Sequence, residues 1–470
     1  MKYNALLASL SRQIWDYAEL KFNEYNSAAL LAETLRNEGF SVEENLAEMP
    51  TAFRATYGKG TPIIGFLGEY DALSGLSQEA DLASKNSLAG QSAGHGCGHH
   101  LLGTASLGAA LLVRDYLQQH NLPGTVTFIG CPAEEGGSGK AYLARAGIFD
   151  ELSAALTWHP GSVNMVMTGS LQANCQVYYR FSGVSAHAAA APHLGRSALD
   201  AVELMNVGVN YLREHMESTD RVHYAVTDTG GTSPNVVQSH AEVLYLIRST
   251  TSEKVGNLYE RVNAVARGAA MMTGTTVEII FDKACSNIMP NSALEQLLYD
   301  SAQKIGVPTY TEEELTYAWQ FKNTITTDDM LADFGFTFTP AAKRNELLDI
   351  YQSNAVCDFL MDHQSMDINI PGSSDVGDVS YVTPTAQIWA SCYALGTPAH
   401  SWQMVAQGKS NIAVKGMVFA AEVLAQAAIT LFTEPDILCA AKAEFKKRTG
   451  NKPYVCPIPA SVHPNQNKKN

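Results

Sequence analysis

Short apolar runs alternate with helix-like segments between about residues 60 and 160, and no other feature of the sequence limits the fold as strongly. The run TVTFIG, for example, follows the small-residue segment GTASLGAALLVRDYLQQH. Repeats of strand, helix and strand form a mostly parallel sheet with helices on its faces, and the carboxyl ends of the strands carry the chemistry. The sequence therefore predicts an α/β fold.

The α/β pattern stops at about residue 170 and resumes near residue 290. Between these points lie longer alternating strands, such as ANCQVYYRFSG and AEVLYLIRST, together with two helix-like segments. This order is typical of a separate α+β unit. We therefore predict a catalytic domain formed by residues 1–170 and 287–470, which a smaller domain at 171–286 interrupts.

Length and composition agree with a large folded protein. A chain of 470 residues is too long for one ordinary core, and its 46% hydrophobic and 17% charged residues are typical of a chain that is folded through most of its length. The segment 305–370 has mixed polarity and favours no particular topology. The polar tail after residue 450 is expected to fray.

Charge and hydropathy exclude several classes of partner. The net charge of -15 repels nucleic acid. No window reaches the roughly 18 uncharged apolar residues of a membrane span, and the first residues lack the apolar core of a secretion signal. The eight cysteines are scattered, unlike those of a disulfide scaffold. We expect a cytoplasmic protein that binds neither nucleic acid nor membrane.

The motif GHGCGHH places His95, Cys97, His99 and His100 directly before a small-residue helix. Thiol and imidazole groups at this density are typical of a metal site. Cys97 and His99 flank Gly98, so both side chains could turn toward one ion. The alternative is a glycine-rich phosphate loop or a helix cap.

A second motif, CPAEEGGSGK, places Glu134 and Glu135 after the strand TVTFIG. Adjacent side chains point in different directions, so one carboxylate can bind metal while its neighbour acts as a general base. The alternative is a pair of exposed glutamates at a helix start, stabilised by the helix dipole. A nucleotide loop is excluded, because Lys140 is followed by Ala141 and the pattern GxxxxGK[ST] is absent.

Two further histidines, His159 in TWHPG and His400 in TPAHSW, follow predicted strands. A single histidine at a strand end is more often structural than a metal ligand. The carboxyl ends of strands in one sheet converge on one cleft, however, and that position favours a shared site.

These motifs identify a resemblance that covers nearly the whole chain. The matching stretches resemble the aminoacylase and glutamate-carboxypeptidase family of dinuclear metallopeptidases, in its amidohydrolase branch: GEYDALSGLSQ, GHGCGHHLLGTA, CPAEEGGSGK, AALTWHP, AHAAAAPHLGRSALDAV, SPNVVQ and ALGTPAHSWQMV. The resemblance implies a catalytic domain interrupted by a smaller lid and dimerisation domain. It also implies two divalent metal ions and hydrolysis of an amide next to a small carboxylated amino acid.

Carried over by position, the resemblance assigns five metal ligands: Cys97, His99, Glu135, His159 and His400. It makes Glu134 the general base and places Asp71 behind the metal cluster as its support. Glu69 stands where the wider family usually has a histidine, and His100 stands where this branch commonly has an aspartate. No role is assigned to these two residues or to His95.

In the inserted domain, the resemblance makes His187 a donor to the tetrahedral oxyanion in the active site of a neighbouring subunit. It makes Asn235 and Arg248 a pair that holds the free carboxylate of the substrate. Arginine suits that role because its planar group donates two hydrogen bonds to one carboxylate. The alternative for Arg248 is a solvated charge on a surface strand.

The implied reaction is hydrolysis of aminobenzoyl-glutamate to aminobenzoate and glutamate by a homodimer, or by a hetero-oligomer with a related A subunit. One cysteine and three histidines favour zinc, whereas the resemblance favours manganese. A dipeptidase or an N-acyl-amino-acid hydrolase would use the same residues. Thiol catalysis by Cys97 with His99 or His95 is a further alternative, but it has no use for the two adjacent glutamates. The third alternative is a chain that is active only together with a related partner chain.

Overall fold

The computed structural model describes residues 2–466, which form two compact units. Within these residues, the first unit contains 2–170, 289–370 and 379–454. The second contains 171–288, 371–378 and 455–466. The chain therefore leaves the first unit and returns to it more than once.

The helices and strands follow the chain in three groups. Up to residue 171 they are α1 Asn4–Tyr17, α2 Tyr25–Asn37, β1 Ser41–Glu44, β2 Phe53–Lys59, β3 Ile63–Gly68, β4 Leu73–Ser74, β5 Ala93–Gly94, α3 His99–His120, β6 Gly124–Gly130, α4 Glu134–Gly137, α5 Gly139–Arg145, β7 Ala154–Gly161, β8 Met165–Val166 and β9 Ser170–Leu171. The next group comprises β10 Ala173–Ser182, α6 Ala198–Leu212, β11 Arg221–Asp228, β12 His240–Ser249, α7 Ser252–Thr273 and β13 Thr276–Cys285. The last comprises α8 Ser292–Ile305, α9 Glu312–Lys322, α10 Thr327–Leu331, α11 Phe334–Phe338, α12 Arg344–Ser353, β14 Asn369–Ile370, α13 Val376–Ser380, β15 Thr385–Ser391, α14 Trp402–Gln407, α15 Asn411–Thr433 and α16 Pro435–Thr449.

The first unit is built on a seven-stranded sheet with the order β1-β2-β6-β3-β7-β15-β8. The four central strands, β6, β3, β7 and β15, are parallel to one another. The flanking strands β1, β2 and β8 pair antiparallel. The predicted α/β class is confirmed, with the difference that antiparallel strands at both edges make the sheet mixed.

Helices α3 and α15 pack against each other and against the central strands, and their contacts form much of the core. Both helices are rich in small residues, so their backbones approach the sheet closely. By length and composition α15 could cross a membrane, but 67% of its most apolar 18-residue window is buried inside the protein. It is therefore a core helix of the first unit.

Segment 305–370, for which the sequence indicated no topology, forms the short helices α9 to α12. Apolar side chains of α10, α11 and α12 make a small cluster with residues that follow β7 and α9: Val163, Met165, Ile325, Met330, Phe336, Leu347 and Tyr351. Because the helices are short and the cluster is assembled from distant segments, no long periodic pattern marks this region in the sequence.

The second unit has a four-stranded antiparallel sheet with the order β11-β12-β10-β13. One face of the two central strands is buried under α6 and α7, through alternate residues of each strand: Val177, Tyr179, Phe181, Val243, Tyr245 and Ile247. The opposite face is more exposed. This alternation is the period of two that the sequence shows.

Two segments distant in sequence complete the second unit. The hydroxyl of Ser286 donates a hydrogen bond of 2.7 Å to Asp378, which ties 371–378 to the end of β13. Ile458 and Val462 are only 2% and 6% exposed. The prediction that the tail frays is therefore wrong as far as residue 462, because two apolar side chains anchor it. Residues 467–470 lie outside the described part of the chain.

Candidate metal centre

The predicted ligands lie where strands of the first unit end. Cys97 and His99 follow β5, and His99 is the first residue of α3. Glu135 lies in the short helix α4 after β6, and His159 is near the end of β7. His400 follows β15. The parallel strands β6, β7 and β15 end at one edge of the main sheet, as the α/β pattern requires, whereas β5 belongs to a separate two-stranded sheet with β4.

The side chains form two overlapping groups. In the first, Cys97, His99 and His159 each place one potential ligand atom within 4.8 Å of the others, and in the second Cys97, Glu135 and His400 do the same. The Cys97 sulfur lies 3.4 Å from Nε2 of His159. Nε2 of His400 lies 3.5 Å from Oε1 of Glu135. Cys97 is thus common to both groups.

Three residues at the centre have left-handed backbone conformations, which residues other than glycine rarely adopt. Gly98 has a φ of +75°, and a side chain there would clash with the Tyr393 hydroxyl and the Pro160 ring. Ala133 and His400 have φ values of 61° and 56° without being glycine. Left-handed backbone costs such residues about 1–2 kcal/mol each. Strain of this kind persists where the surroundings hold the chain in place.

Asp71 connects the ligands from behind. Nδ1 of His99 donates to Oδ1 of Asp71 at 2.8 Å. The backbone N–H of Glu135 donates to the other oxygen of Asp71 at 2.9 Å. One buried carboxylate therefore holds a predicted ligand of each group, the ring of His99 and the backbone of Glu135, and it fixes the His99 tautomer with Nε2 directed away from Asp71.

His159 is oriented in a similar way. Its Nδ1 donates to the carbonyl of Pro160 at 2.9 Å, which leaves Nε2 facing the Cys97 sulfur. Its ring stacks on Trp389, with centroids 4.9 Å apart and an interplanar angle of 24°. Burial, together with the nearby His99, lowers the pKa of His159 to about 3. His159 therefore offers a neutral imidazole nitrogen.

Negative groups dominate the electrostatics around His99. Burial alone would disfavour a charged imidazole there. Three acidic groups outweigh burial and raise the His99 pKa well above its ordinary value: Cys97, Asp71 and Glu69. A position at which a histidine holds its proton so strongly is one at which positive charge is stabilised.

The second group, formed by Cys97, Glu135 and His400, likewise stabilises positive charge on a histidine. Hydrogen bonds to Cys97 and Glu135 raise the pKa of His400 to about 10. Burial opposes ionisation of Glu135, but contacts with His400 and His99 lower its pKa to about 2. Burial and the Glu135 carboxylate raise the pKa of the Cys97 thiol.

This donor set fits divalent metal ions. It offers one sulfur, three imidazoles and one carboxylate, all of which bind borderline metals. Among residues 2–466, the fully buried Nε2 of His99 finds no hydrogen-bond partner of good geometry, although Oε2 of Glu69 lies 3.2 Å away. A metal ion would bind such an atom by displacing a proton.

The other histidines of GHGCGHH point elsewhere. Nε2 of His95 donates to the carbonyl of Ile14 at 3.0 Å, and Nε2 of His100 donates to the carbonyl of Gly408 at 2.9 Å. Burial lowers the pKa of His95 to about 3 and that of His100 well below its ordinary value. Both rings are neutral, and they join the loop before α3 and the first turn of α3 to distant segments.

Glu69 and Lys140 form a buried ion pair beside His99. Nζ of Lys140 lies 2.6 Å from Oε1 of Glu69, and their side chains are 0% and 3% exposed. Glu69 and His99 also form a third group with Glu134, with potential ligand atoms within 4.8 Å. Nothing in the sequence indicates this ion pair, because Lys140 lies 71 positions after Glu69 and belongs to no recognised motif once the nucleotide loop is excluded.

The three residues predicted for substrate contacts lie in the second unit. His187 is exposed, and its Nδ1 accepts hydrogen bonds from the N–H groups of Ala189 and Ala190 at 3.3 and 3.2 Å. Asn235 is exposed in a neighbouring loop, and its carbonyl accepts from the N–H of Ala188 at 3.0 Å. Arg248 is partly buried near the end of β12.

Asn235 and Arg248 are not neighbours within one chain. Arg248 lies opposite Asn174 in the sheet, whereas His240, which follows the Asn235 loop, lies opposite Ser182. Eight residues separate these positions along the strand, roughly 27 Å at about 3.4 Å per residue. The structure therefore brings His187 and Asn235 together and places Arg248 at the other end of the sheet.

An α/β sheet with a cluster of sulfur, imidazole and carboxylate groups at its strand ends is typical of a metal-dependent hydrolase. Residues 65–457 match the model of peptidase family M20/M25/M40, and the chain belongs to this family. The predicted family is confirmed, and the chain is a metal-dependent amidohydrolase or peptidase.

Relatives match over nearly the whole chain. It is 45% identical to the B subunit of p-aminobenzoyl-glutamate hydrolase from Escherichia coli K12, in a match that covers 97% of this chain and 95% of the relative. It is 28% identical to the Xaa-Arg dipeptidase of Mus musculus, over 94% and 89%. The YxeP protein of Bacillus subtilis, a dinuclear metal binding peptidase from the M20 family, matches with a TM-score of 0.56 at 16% identity, over 92% and 99%. The last likeness shows the fold.

The geometry at Gly98 generates a first prediction. Gly98→Ala should lower metal content and destabilise the protein, because the new methyl group clashes with Tyr393 and Pro160 between two ligands. Gly75→Ala is a matched control, since Gly75 has a φ of +77° but open space around it. We expect Gly98→Ala to cost about 1–3 kcal/mol more than the control. Urea unfolding and elemental analysis measure both effects, and equal results for the two variants would contradict this account.

Proposed function

We propose that this chain hydrolyses the amide bond of p-aminobenzoyl-glutamate in the cytoplasm, releasing p-aminobenzoate and glutamate. The observation that carries the proposal is the pair of ligand groups sharing Cys97 beside Glu134, in a chain 45% identical to a hydrolase of this substrate. The test is to assay the purified chain alone with manganese or zinc. Absence of hydrolysis with either metal would refute activity of the isolated chain.

Two sets of residues would hold the metal ions. Cys97, His99 and His159 form one set, and Cys97, Glu135 and His400 form the other. When bound, divalent ions at these sets would acidify a water molecule and polarise the amide carbonyl. Sulfur and imidazole ligands favour zinc, while resemblance to the amidohydrolase branch favours manganese.

Glu134 is positioned for proton transfer. Its carboxylate lies in a group with His99 and Glu69, within 4.8 Å, while the next residue, Glu135, joins the ligand group of His400. The side chains of these two adjacent residues of α4 therefore lie in different groups of potential ligand atoms. Glu134 would take a proton from the attacking water and then give it to the departing nitrogen.

The division of roles between the two glutamates generates the second prediction. Glu134→Gln should keep bound metal and lose activity by roughly 10²–10⁴-fold, the usual contribution of a general base. Glu135→Gln should release metal, because it replaces a ligand. Metal content and turnover of both variants test this. Equal metal loss in the two would contradict separate roles.

His187 has the hydrogen-bonding state of an oxyanion donor. Because its Nδ1 accepts from backbone N–H groups, the neutral ring carries its proton on Nε2. An exposed N–H can stabilise the negative oxygen of the tetrahedral intermediate. His187 and Arg248 lie at opposite ends of one sheet, so we propose that a second copy in a homodimer supplies His187 and Asn235 to each site.

This arrangement generates the third prediction. An inactive His187→Ala chain mixed with an inactive Glu134→Gln chain should recover partial activity, since some mixed dimers contain one complete site. Each variant mixed with itself is the control. Activity assays after proven subunit exchange decide the question, and no recovery would place His187 in the site of its own chain or outside any site.

Arg248 has the surroundings of an anion-binding residue. Its Nη1 donates to the hydroxyl of Ser373 at 3.0 Å. Among residues 2–466 no carboxylate forms an ion pair with it, and the residue opposite on β11 is Arg221. Burial lowers the pKa of Arg248. A partly buried guanidinium without a counter-ion favours a carboxylate ligand, and we propose the substrate's α-carboxylate.

The fourth prediction concerns this contact. Arg248→Ala should lower kcat/KM by roughly 30- to several-thousand-fold, or roughly 2–5 kcal/mol, and leave metal content intact. Arg221→Ala, which removes the neighbouring guanidinium, should have little effect. Replacing the substrate's α-carboxylate by an amide should impair the wild type about as much and impair Arg248→Ala little further. Simple addition of the two losses would show that Arg248 does not contact that carboxylate.

A dipeptidase is the second candidate, because the Xaa-Arg dipeptidase of Mus musculus matches 94% of this chain. The same ligands and base would cleave any amide whose product carries a carboxylate. A panel of dipeptides and N-acyl amino acids, assayed beside p-aminobenzoyl-glutamate, distinguishes the two.

A hetero-oligomer with a related A subunit is a further possibility for the assembly. It is supported by the names of two Escherichia coli relatives, which describe an A and a B subunit of one hydrolase. Activation of this chain on mixing with such a partner would identify the hetero-oligomer, and full activity of the chain alone would argue against a need for it.

Thiol catalysis by Cys97 has less support. Burial and Glu135 raise the pKa of its thiol, and a nucleophilic cysteine needs a lowered pKa. Loss of activity on chelation, with recovery on adding metal, would agree with the metal-dependent proposal. Activity that survives chelation would favour the thiol.

A further inference from the structure

Glu24 is a buried carboxylate that lies outside the proposed ligand groups. It directly precedes α2 and is 0% exposed. Its Oε1 accepts the backbone N–H of Ala133 at 2.8 Å. Its Oε2 accepts the hydroxyl of Thr51 at 3.1 Å. A residue from the start of the chain therefore contacts the turn that carries Glu134.

Ala133 is the residue at which this turn begins. Its φ of 61° is left-handed, and its carbonyl accepts the N–H of Gly137 at 2.8 Å. On the other side of Glu134, the N–H of Glu135 donates to Asp71 at 2.9 Å. Buried carboxyl groups from two separate segments of the chain thus hold the N–H groups on either side of Glu134.

The two carboxylates are joined by a third contact. The hydroxyl of Tyr70, the residue before Asp71, donates to the carbonyl of Thr51 at 2.5 Å. Thr51 in turn donates to Glu24. Thr51, Tyr70 and Asp71 are at most 1% exposed. The turn around Glu134 is therefore supported by four connected buried residues: Glu24, Thr51, Tyr70 and Asp71.

We propose that Glu24 is a positioning residue, which fixes the direction of Glu134 by holding the N–H of Ala133. The proposal rests on the proposed role of Glu134 as general base. Loss of this hydrogen bond removes one of the two contacts that hold the N–H groups beside Glu134 and leaves the left-handed Ala133 with less support, so we expect the turn to relax. A shift of about 1 Å in a catalytic group can cost about 100-fold in rate.

The chemistry of Glu24 supplies a close mimic. Burial and the nearby Asp71 carboxylate raise the pKa of Glu24 to about 8, which favours the uncharged acid at neutral pH. Glutamine has the same shape, accepts from Ala133 through its carbonyl and places its amide beside the Thr51 hydroxyl, which can then accept a hydrogen bond instead of donating one. Alanine does neither, and aspartate is one methylene shorter.

Glu19 is a matched control. It is a carboxylate five residues earlier that accepts the backbone N–H groups of Asn26 and Ser27, both at 2.9 Å. It therefore holds the start of α2 in the way that Glu24 holds Ala133, but it does not contact the turn. Glu19→Ala should destabilise the protein and leave the reaction unchanged.

The experiment compares Glu24→Ala, Glu24→Gln and Glu19→Ala in the full-length, metal-loaded protein. We measure kcat and KM for p-aminobenzoyl-glutamate, metal content, and hydrogen exchange of the peptide around Ala133. We expect Glu24→Ala to lose about 100-fold in kcat, with KM and metal content near wild type and faster exchange at the turn. Glu24→Gln should restore most of kcat and slow exchange. In a Glu134→Gln background, Glu24→Ala should cause no further loss.

Several outcomes would overturn the proposal. One is unchanged exchange at the turn in Glu24→Ala, and another is a loss of kcat that Glu19→Ala shares. If Glu24→Ala does not fold, Glu24→Asp replaces it and the same exchange measurement decides. Failure of the proposed function is distinguishable, since full activity of Glu134→Gln, or no hydrolysis by the wild type, would refute it independently of exchange at Ala133.

Discussion

The centre depends on two hydrogen bonds that the Asp71 carboxylate accepts. It accepts from the His99 ring with one oxygen and from the Glu135 backbone with the other. These bonds join a residue after β3 to the start of α3 and to α4, three segments that are separate in sequence. One buried carboxylate therefore connects the two groups of predicted ligands. Side chains alone, on flexible loops, would not hold the groups in this arrangement.

The same region carries an excess of buried acidic groups. Glu69 is paired with Lys140, while the carboxylates of Asp71 and Glu135 face His99 and His400, whose pKa values are raised. Buried charge without a partner is costly. Divalent ions at these ligands would replace the protons, so that binding of metal and stability of the folded protein are coupled.

The sequence predicted the α/β class because strand and helix periods are local. It also grouped the ligand motifs, since each follows a strand and strand ends converge. What it missed depends on contacts between distant segments. Glu24 reaches Ala133 across 109 positions, and His100 reaches Gly408 across 308. The burial of Ile458 and Val462 is of the same kind, because a short polar tail shows no sign of the surface it covers.

Arg248 and the His187 loop lie at opposite ends of β12, and this separation would make the activity of the enzyme depend on its concentration. If each complete site draws on two chains, an isolated chain holds metal and yet turns over no substrate. The specific activity then falls on dilution with the dissociation of the pair, and the reaction rate rises more steeply than in proportion to protein concentration. A cell that makes little of this protein would have almost none of its activity.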